Sequence, residues 1–276
     1  MDQPQPLSPA SKKRNVIIGF FNFFGKPVLH INNSLGAFTI FLFKSFVLIF
    51  QLKQIPLIIG QIYMIGARSV IIVMLVGLFT GMVLGLQLHY VLIQFGAIGY
   101  LGSAISLSLV RELGPVLTAI MITARAGSAM AAEIGIQRIS EQIDALQTMR
   151  ISPLGYLISP RLAAGIISFP ILTAFFDLIA IFGGYVSGVL LVGNNPGIYF
   201  DRVVRSLQFV DIYSGFVKSI VFAVLVVTIC CFQGYFTHMR RDGFGAKSVG
   251  LSTTQAVVLS CILILVSDYV VTSLVL

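Results

Sequence analysis

Long apolar segments separated by short polar stretches dominate the pattern of this chain. Five of them are long enough for a membrane-spanning helix, at 1.5 Å rise per residue across about 30 Å of hydrocarbon. These segments are Ser69–Leu88, 98–124, 162–192, 215–237 and 249–276. A sixth, 35–52, carries Lys44 near its middle, and a charge at mid-bilayer is costly. We therefore predict an all-α, polytopic membrane helix bundle with five crossings, preceded by a helix at 35–52 that lies in the interface.

Composition favours the same class of protein. The 276-residue chain is 57% hydrophobic and only 10% charged, with a mean hydropathy of +0.97, whereas soluble domains carry about 25% charged residues. The net charge of +8 does not indicate nucleic-acid binding, because the basic residues flank apolar segments, where they set orientation. We read residues 1–34 as a basic N-terminal tail and interfacial start, and residues 35–276 as a single transmembrane domain.

The positions of Lys and Arg predict the orientation in the membrane. Basic residues collect in the N-terminal region and in segments 125–161 and 238–248, whereas 89–97 has none and 193–213 has only two. Cytoplasmic segments carry the excess of Lys and Arg. We therefore expect a multi-pass inner-membrane protein with its N-terminus in the cytoplasm and its C-terminus in the periplasm.

The segment Ala131–Met149, between the second and third crossings, has a different pattern. Its isoleucines and leucine recur at helical spacing, with charged residues at other positions. The apolar positions are Ile136, Ile139, Ile143 and Leu146, and the charged ones are Glu133, Arg138, Glu141 and Asp144. This indicates a short amphipathic cytoplasmic helix that either lies on the bilayer or docks a partner. Acidic residues are disfavoured beside anionic lipid, which favours docking.

Arg111 and Glu112 lie near the centre of the second apolar segment, directly before the step Gly114-Pro115. Ionisable groups at this depth usually face a cavity or a partner. Neighbouring residues point about 100° apart on a helix, so each of the two needs a partner other than the other. Pro115 removes a backbone donor, which predicts a kink or a break. The pair either lines a route for a polar substrate or forms a structural ion pair between helices.

Two aspartates are further candidates for polar groups within the membrane. Asp177 lies at the middle of the third segment and Asp268 towards the far end of the fifth. Asp177 fits either a proton or ion relay, or a pair with Arg111 or Arg68, and we favour the pair. Asp268 is a second group that an ion-coupled transporter could use.

Glycines four residues apart predict close contact between helices. They share one helix face and let a neighbouring helix approach. The first segment has three of these glycines and the third has two: Gly77, Gly81, Gly85, Gly184 and Gly188.

The sequence contains no recognisable ATP site and no catalytic set. The nearest string to a phosphate-binding loop, Gly243–Ser248, has the wrong spacing. Its three cysteines fit no metal site, and we predict no metal and no directly bound cofactor. Uphill transport would thus draw on a partner or an ion gradient. An ion-coupled secondary transporter and an intramembrane lipid enzyme are the rival hypotheses.

Several longer strings resemble one known family. They are Gly81–Gln87, Ser108–Leu117, Ala124–Gly135, Glu141–Leu146 and Ile158–Arg161. In this order they closely resemble the MlaE/YrbE permeases, the membrane subunits of ABC lipid transporters that work with MCE-domain proteins. The likeness covers about residues 45–276.

The resemblance implies an assembly as well as a function. Such a permease is a homodimer that moves phospholipid, and ATP with Mg binds to two cytoplasmic ATPase subunits rather than to the permease. A periplasmic MCE-domain protein binds on the outer side, and a small cytoplasmic STAS-type subunit can complete the complex. In this sequence Ala131–Met149 matches the ATPase-docking segment. Arg111 and Glu112 match the charged pair that lines or supports the lipid route.

Overall fold

The computed structural model describes residues 36–50, 55–239 and 245–275, and this part of the chain is helical without a β-strand. Five helical segments are long and apolar enough to cross a membrane. They are Ile55–Gln94, Ile98–Ile139, Leu154–Leu191, Phe209–Tyr235 and Ala246–Leu274. The predicted all-α membrane bundle with five crossings is confirmed. The basic tail falls on residues outside the described part.

Helix α1, Gly36–Val47, corresponds to the sixth apolar stretch. Contacts divide the chain into the units Met1–Lys44 and Ser45–Leu276, and α1 ends just after this boundary. At 1.5 Å per residue the helix is too short to cross the bilayer. Lys44 is exposed. The placement of α1 in the interface stays a prediction.

The first crossing begins earlier than the sequence predicted. Helix α2, Ile55–Ile65, precedes helix α3, Val70–Gln94, and a 3₁₀ turn at 67–69 joins them. The joint begins at Gly66, where a Cβ would lie 3.0 Å from the Ser168 hydroxyl of a neighbouring helix. The predicted crossing began at Ser69, directly after Arg68, and so left the apolar residues between Lys53 and Arg68 unassigned. The pattern therefore did not reveal this helix.

The second crossing is one continuous helix of 42 residues that includes two π-helical turns. Its parts are a 3₁₀ turn (Ile98–Tyr100), α4 (Leu101–Ser108), a π turn (Leu109–Leu113), α5 (Gly114–Ile122), a second π turn (Thr123–Gly127) and α6 (Ser128–Ile139). At 1.5 Å per residue this length is about twice the hydrocarbon thickness. Part of the helix must therefore project beyond the membrane.

The amphipathic segment Ala131–Met149 is two helices, not the single helix that we predicted. Its first half belongs to α6, the end of the second crossing, and its second half is α7, Gln142–Thr148. Glu141 separates them with φ of 61°, a left-handed conformation that ends a helix. No glycine marks this point in the sequence, and the helical spacing of apolar residues continues across the break.

The remaining helices complete the bundle. They are α8 (Ser159–Tyr185, between two π turns), α9 (Pro196–Ser206), α10 (Phe209–Tyr235) and α11 (Ala246–Val275). Helix α9 is amphipathic and begins at Asn195, whose side chain accepts hydrogen bonds from the next turn. Tyr199 anchors α9 to α8, because its hydroxyl donates to the Ile181 carbonyl at 2.9 Å.

Glycines of α3 lie against α8 along most of the first crossing. A Cβ at Gly77 would lie 3.0 Å from the Phe176 carbonyl, and a Cβ at Gly81 would overlap the backbone of Ala180. The third glycine of the row, Gly85, lies against Gly184 and Ser187. At Gly81 only a hydrogen atom fits, so the two helices touch there through their backbones. Gly188 lies instead against Leu101 of α4.

Candidate functional site

The first π turn carries Arg111 and Glu112. The Gly114 N–H donates to the carbonyl five residues earlier, which widens the helix by one residue per turn. Pro115 has no N–H to donate to the preceding carbonyls. The chain nevertheless stays helical through the Gly-Pro step, so the site is a widened turn and not a break.

Helix α10 supplies the donor that Pro115 lacks. In a regular α-helix the N–H of residue 115 would donate to the Arg111 carbonyl, but proline has no N–H. This carbonyl instead accepts a hydrogen bond from Lys218 Nζ at 2.9 Å. Gly215 permits this close approach, because a Cβ there would lie 2.6 Å from the Val110 carbonyl. The widened turn and α10 are thus fitted to each other.

Arg111 is tied to the N-terminus of α10. Both its Nε and its Nη2 lie 2.7 Å from Asp211 Oδ1. The other oxygen of Asp211 accepts the Gln208 N–H at 2.9 Å, which forms a capping box. A carboxylate in the first helical turn also complements the helix dipole. Asp211 is 4% exposed, whereas the Arg111 side chain is 43% exposed.

Glu112 belongs to a second set of charges, centred on Lys218. Lys218 Nζ donates to Glu112 Oε2 at 2.6 Å and lies 3.0 Å from Asp268 Oδ1 on α11. The Thr272 hydroxyl, one turn after Asp268, donates to Glu112 Oε1 at 3.3 Å. The Lys218 side chain is only 1% exposed, against 42% for Glu112. Lys218 therefore joins three helical segments through a buried ammonium group.

We call these five ionisable residues the polar cluster: Arg111, Glu112, Asp211, Lys218 and Asp268. It holds two cations and three carboxyl groups between the first π turn, α10 and α11. A cavity of about 130 Å³ lies beside it. The cavity is lined by Arg111, Glu112, Gln208, Val210, Asp211, Ser214 and Thr272. Arg111 and Glu112 thus each have a separate partner and also face open space.

Asp177 does not pair with Arg111 or Arg68, contrary to our expectation. Arg111 binds Asp211, and the Arg68 guanidinium lies 5.4 Å from the centre of the Tyr63 ring. The Asp177 carboxyl faces Gly114 instead, and its Oδ1 is buried with no hydrogen-bond partner. The expectation failed because the Arg111 side chain reaches Asp211 at the start of α10, whereas Asp177 lies against the backbone of Gly114.

The residues of the amphipathic segment differ in their surroundings. Ile136 and Glu141 are exposed. Glu133 is paired with Arg161 Nη2 at 2.8 Å, and the Arg161 side chain is only 3% exposed. Arg138 donates to Asp144 at 2.6 Å, which links α6 to α7.

Arg138 also holds the end of α10. Its Nε donates to His238 Nδ1 at 2.9 Å, and its guanidinium lies over the Tyr235 ring, 5.5 Å from the centre. Burial and the Arg138 charge lower the pKa of His238 from its usual value. This keeps the imidazole neutral and able to accept the hydrogen bond. Helices α6, α7 and α10 therefore meet at one polar junction.

Two members of the polar cluster, Asp211 and Lys218, were absent from the predicted set. The predicted fourth crossing began at residue 215, whereas α10 begins at Phe209, so Asp211 was assigned to a loop. Lys218 was read as a residue near the end of a crossing. Their spacing of seven, two helical turns, places them on the same face of α10. That spacing is the signal that could have identified both.

Comparison with known proteins agrees with this architecture. The family model described as Permease MlaE matches residues 58–274. The intermembrane phospholipid transport system permease protein MlaE of Haemophilus influenzae is 39% identical over 261 residues, covering 94% of this chain and 98% of that protein. A probable ABC transporter permease protein of Rickettsia felis is 38% identical over 260 residues, again 94% and 98%.

A more distant relative comes from a plant. The protein TRIGALACTOSYLDIACYLGLYCEROL 1, chloroplastic, of Arabidopsis thaliana is 34% identical over 213 residues, covering 77% of this chain and 59% of that protein. The fold and the polar cluster define a multi-pass helical membrane protein with charged groups facing a cavity between its spans. The chain belongs to the MlaE permease family, whose relatives are named as transporter permeases.

Proposed function

We propose that this chain is the inner-membrane permease subunit of an ATP-driven transporter for phospholipids. The observation that carries the proposal is the polar cluster beside a cavity within the spans. Ionisable groups in a membrane are costly and are typical of a substrate route. The family relatives named for phospholipid transport and as ABC permeases support the substrate class.

Arg111 has the geometry to bind a phosphate. Its Nε and Nη2 are used by Asp211, so Nη1 remains to donate into the cavity. A guanidinium held on one side and open on the other is suited to charge-assisted hydrogen bonds with phosphate oxygens. The cavity, at about 130 Å³, is well below the roughly 300–1,000 Å³ of sites that enclose a drug-sized ligand. We infer that it takes the headgroup and leaves the acyl chains outside.

Glu112 is suited to the basic or hydroxyl part of a headgroup. One of its oxygens accepts from Lys218 at 2.6 Å and the other accepts from Thr272 at 3.3 Å. The 42% exposure of its side chain leaves acceptor positions open to the cavity. Arg111 and Glu112 together would therefore recognise a zwitterionic headgroup through both of its charges.

A cytoplasmic ATPase is the proposed source of energy, and α6 with α7 is its proposed docking surface. Ile136 and Met149 are 57% and 68% exposed, and Glu141 is exposed beside them. An exposed apolar patch with a charged rim is typical of an interface. The ATPase would bind ATP and Mg.

The proposed complete assembly follows the family resemblance. It is a homodimer with a periplasmic MCE-domain protein and, where present, a small STAS-type subunit. The N-terminus lies in the cytoplasm and the C-terminus in the periplasm.

The proposal is tested by lipid transfer in proteoliposomes that contain the chain with its ATPase. We expect ATP-dependent transfer of labelled phospholipid, and a loss of roughly tenfold or more for Arg111→Ala and for Glu112→Ala, the size of a lost charge-assisted contact. Both variants should still assemble, because Glu112→Ala leaves Lys218 paired with Asp268 and Arg111→Ala leaves Asp211 bonded to the Gln208 N–H in the capping box. Arg111→Lys should recover only part of the activity, since it lacks the guanidinium fork.

Arg205→Gln is the matched control. Arg205 forms an ion pair with Asp201 at 2.7 Å but its side chain is 76% exposed, and it does not line the cavity. Transfer at the wild-type rate by Arg111→Ala and Glu112→Ala would exclude the polar cluster from the route. Transfer that follows an ion gradient and ignores ATP would favour the secondary transporter, and chemical conversion of the lipid would favour the enzyme.

A further inference from the structure

The Asp177 side chain fits into a notch at Gly114. A Cβ at Gly114 would overlap Asp177 Oδ1, so the carboxyl oxygen lies against the backbone where the first π turn ends. Oδ1 is buried and has no hydrogen-bond partner. Gly114 therefore provides space that the carboxyl group fills, and α8 contacts the widened turn at the residue that closes it.

No cation balances this carboxyl group. Arg111 is paired with Asp211, and Lys218 with Glu112 and Asp268. The other ion pairs among the described residues are Arg138–Asp144, Arg161–Glu133 and Arg205–Asp201. Within the part of the chain that the structure describes, no ion pair includes Asp177.

An ionised carboxylate at this place would be unfavourable. Moving an isolated charge out of water costs many kcal/mol, and a group without a partner usually becomes neutral instead. A protonated carboxyl group has no net charge, and it can occupy the small notch at Gly114 at far lower cost. Both its shape and its neutrality suit the space at Gly114.

We propose that Asp177 is a neutral carboxylic acid that acts as a positioning residue for the polar cluster. It wedges α8 against the end of the π turn and so holds Arg111 and Glu112 towards the cavity. Without the wedge the turn can move towards α8, because the Asp177 carboxyl group is the side chain that lies closest to Gly114. The effect on transport rests on the proposed function, whereas the neutral state of the carboxyl group does not.

Infrared spectroscopy of the full chain with its ATPase tests the neutral state. The wild type should show the carbonyl stretch of a protonated carboxylic acid at neutral pH, and Asp177→Asn should lack it. Asp201→Asn is the control, because Asp201 is 51% exposed and paired with Arg205, so its replacement should leave that band unchanged. If Asp177→Asn removes no acid band, Asp177 is ionised and the proposal is wrong.

Lipid transfer by the same variants tests the positioning role. Asn has the shape of a neutral Asp, so we expect Asp177→Asn to stay within about twofold of wild type and Asp177→Ala to lose roughly tenfold. Equal loss in both variants would mean that the negative charge is needed, and full activity of Asp177→Ala would mean that no wedge is needed. If Asp177→Ala does not assemble, the activity of Asp177→Asn decides. Absence of transfer by the wild type would refute the proposed function and leave the infrared result valid.

Discussion

Lys218 is the residue on which the polar cluster depends most. Its ammonium group contacts the Arg111 carbonyl, Glu112 and Asp268, and its side chain is almost completely buried. Arg111 and Glu112 are each about two-fifths exposed. A structural role therefore belongs to Lys218, and the two exposed groups remain available to a substrate.

This difference gives a prediction about stability. Lys218→Met should destabilise the protein by roughly 1–3 kcal/mol, because it leaves the Arg111 carbonyl without its donor and Glu112 and Asp268 without their cation. The measurement is the thermal unfolding temperature and the yield of the purified protein. Adding Glu112→Gln and Asp268→Asn to the Lys218→Met background should recover part of the loss, since the unpaired charges are then absent. A Lys218→Met protein as stable as the wild type would contradict the structural role.

The sequence identified three of the five residues of the polar cluster, for a physical reason. Arg111 and Glu112 were conspicuous because they interrupt a long apolar run. Asp211 was hidden because a carboxylate at a helix start looks the same as one in a loop until the helix boundary is known. The packing of Asp177 against Gly114 could not be derived at all, because the sequence does not show which helix packs against the π turn.

At the scale of helices, α3 and α8 pack through backbone contact. The Gly77, Gly81 and Gly85 spacing predicted a close approach, and the structure shows that α8 is the helix that approaches. The sequence could not identify the partner, since a glycine row is complementary to any helix with small residues. The backbone contact is closest at Gly81.

Gly81→Ala should therefore destabilise the bundle. The added methyl group would overlap the Ala180 backbone, and the helices would have to separate, at a cost of about 1–3 kcal/mol. Gly60→Ala is the matched control, because nothing lies within 4 Å of a Cβ at Gly60 of α2. That substitution should stabilise by roughly 0.5–1 kcal/mol through helix propensity alone. Thermal unfolding of both variants checks the sign, and equal shifts would argue against close α3–α8 packing.

The two glutamates of the α6–α7 segment should behave differently when their charge is reversed. Glu141→Lys should weaken binding of the ATPase and leave the fold intact, because Glu141 is exposed at the turn between the helices. Glu133→Lys should lower the stability of the permease itself, because it places a cation beside the buried Arg161. Co-purification of the ATPase and thermal unfolding separate the two effects. Unchanged co-purification with Glu141→Lys would favour a segment that only lies on lipid.

At the scale of the whole molecule, the five crossings and the distribution of basic residues determine the expected orientation. The number of crossings was accessible from sequence because each apolar run exceeds the bilayer thickness. The lengths of the spanning helices could not be predicted from the sequence, because α6 continues the second crossing well past its apolar part. The segment 125–161, assigned from its arginines to the cytoplasmic side, is thus partly an extension of a spanning helix.

The orientation predicts which positions are labelled from each side of the membrane. In a background without Cys230, Cys231 and Cys261, single cysteines replace residues that follow the first, second, fourth and fifth crossings. Met149 and Met239, which are 68% and 69% exposed, follow the second and fourth crossings.

An odd number of crossings places the two termini on opposite sides of the membrane. With the N-terminus in the cytoplasm, the segments after the second and fourth crossings are cytoplasmic as well. Cysteines at Met149 and Met239 should therefore react with an impermeant thiol reagent only after the cytoplasmic side is opened. Cysteines at Phe95 and at the C-terminal Leu276 should react in intact cells whose outer membrane alone is permeabilised. The basic residues near Met149 and Met239 support this assignment, since the translocated loops carry fewer of them. Labelling of Met239 and Leu276 from the same side would mean that α11 does not cross, and exchange of the two sets would mean that the bundle is inverted.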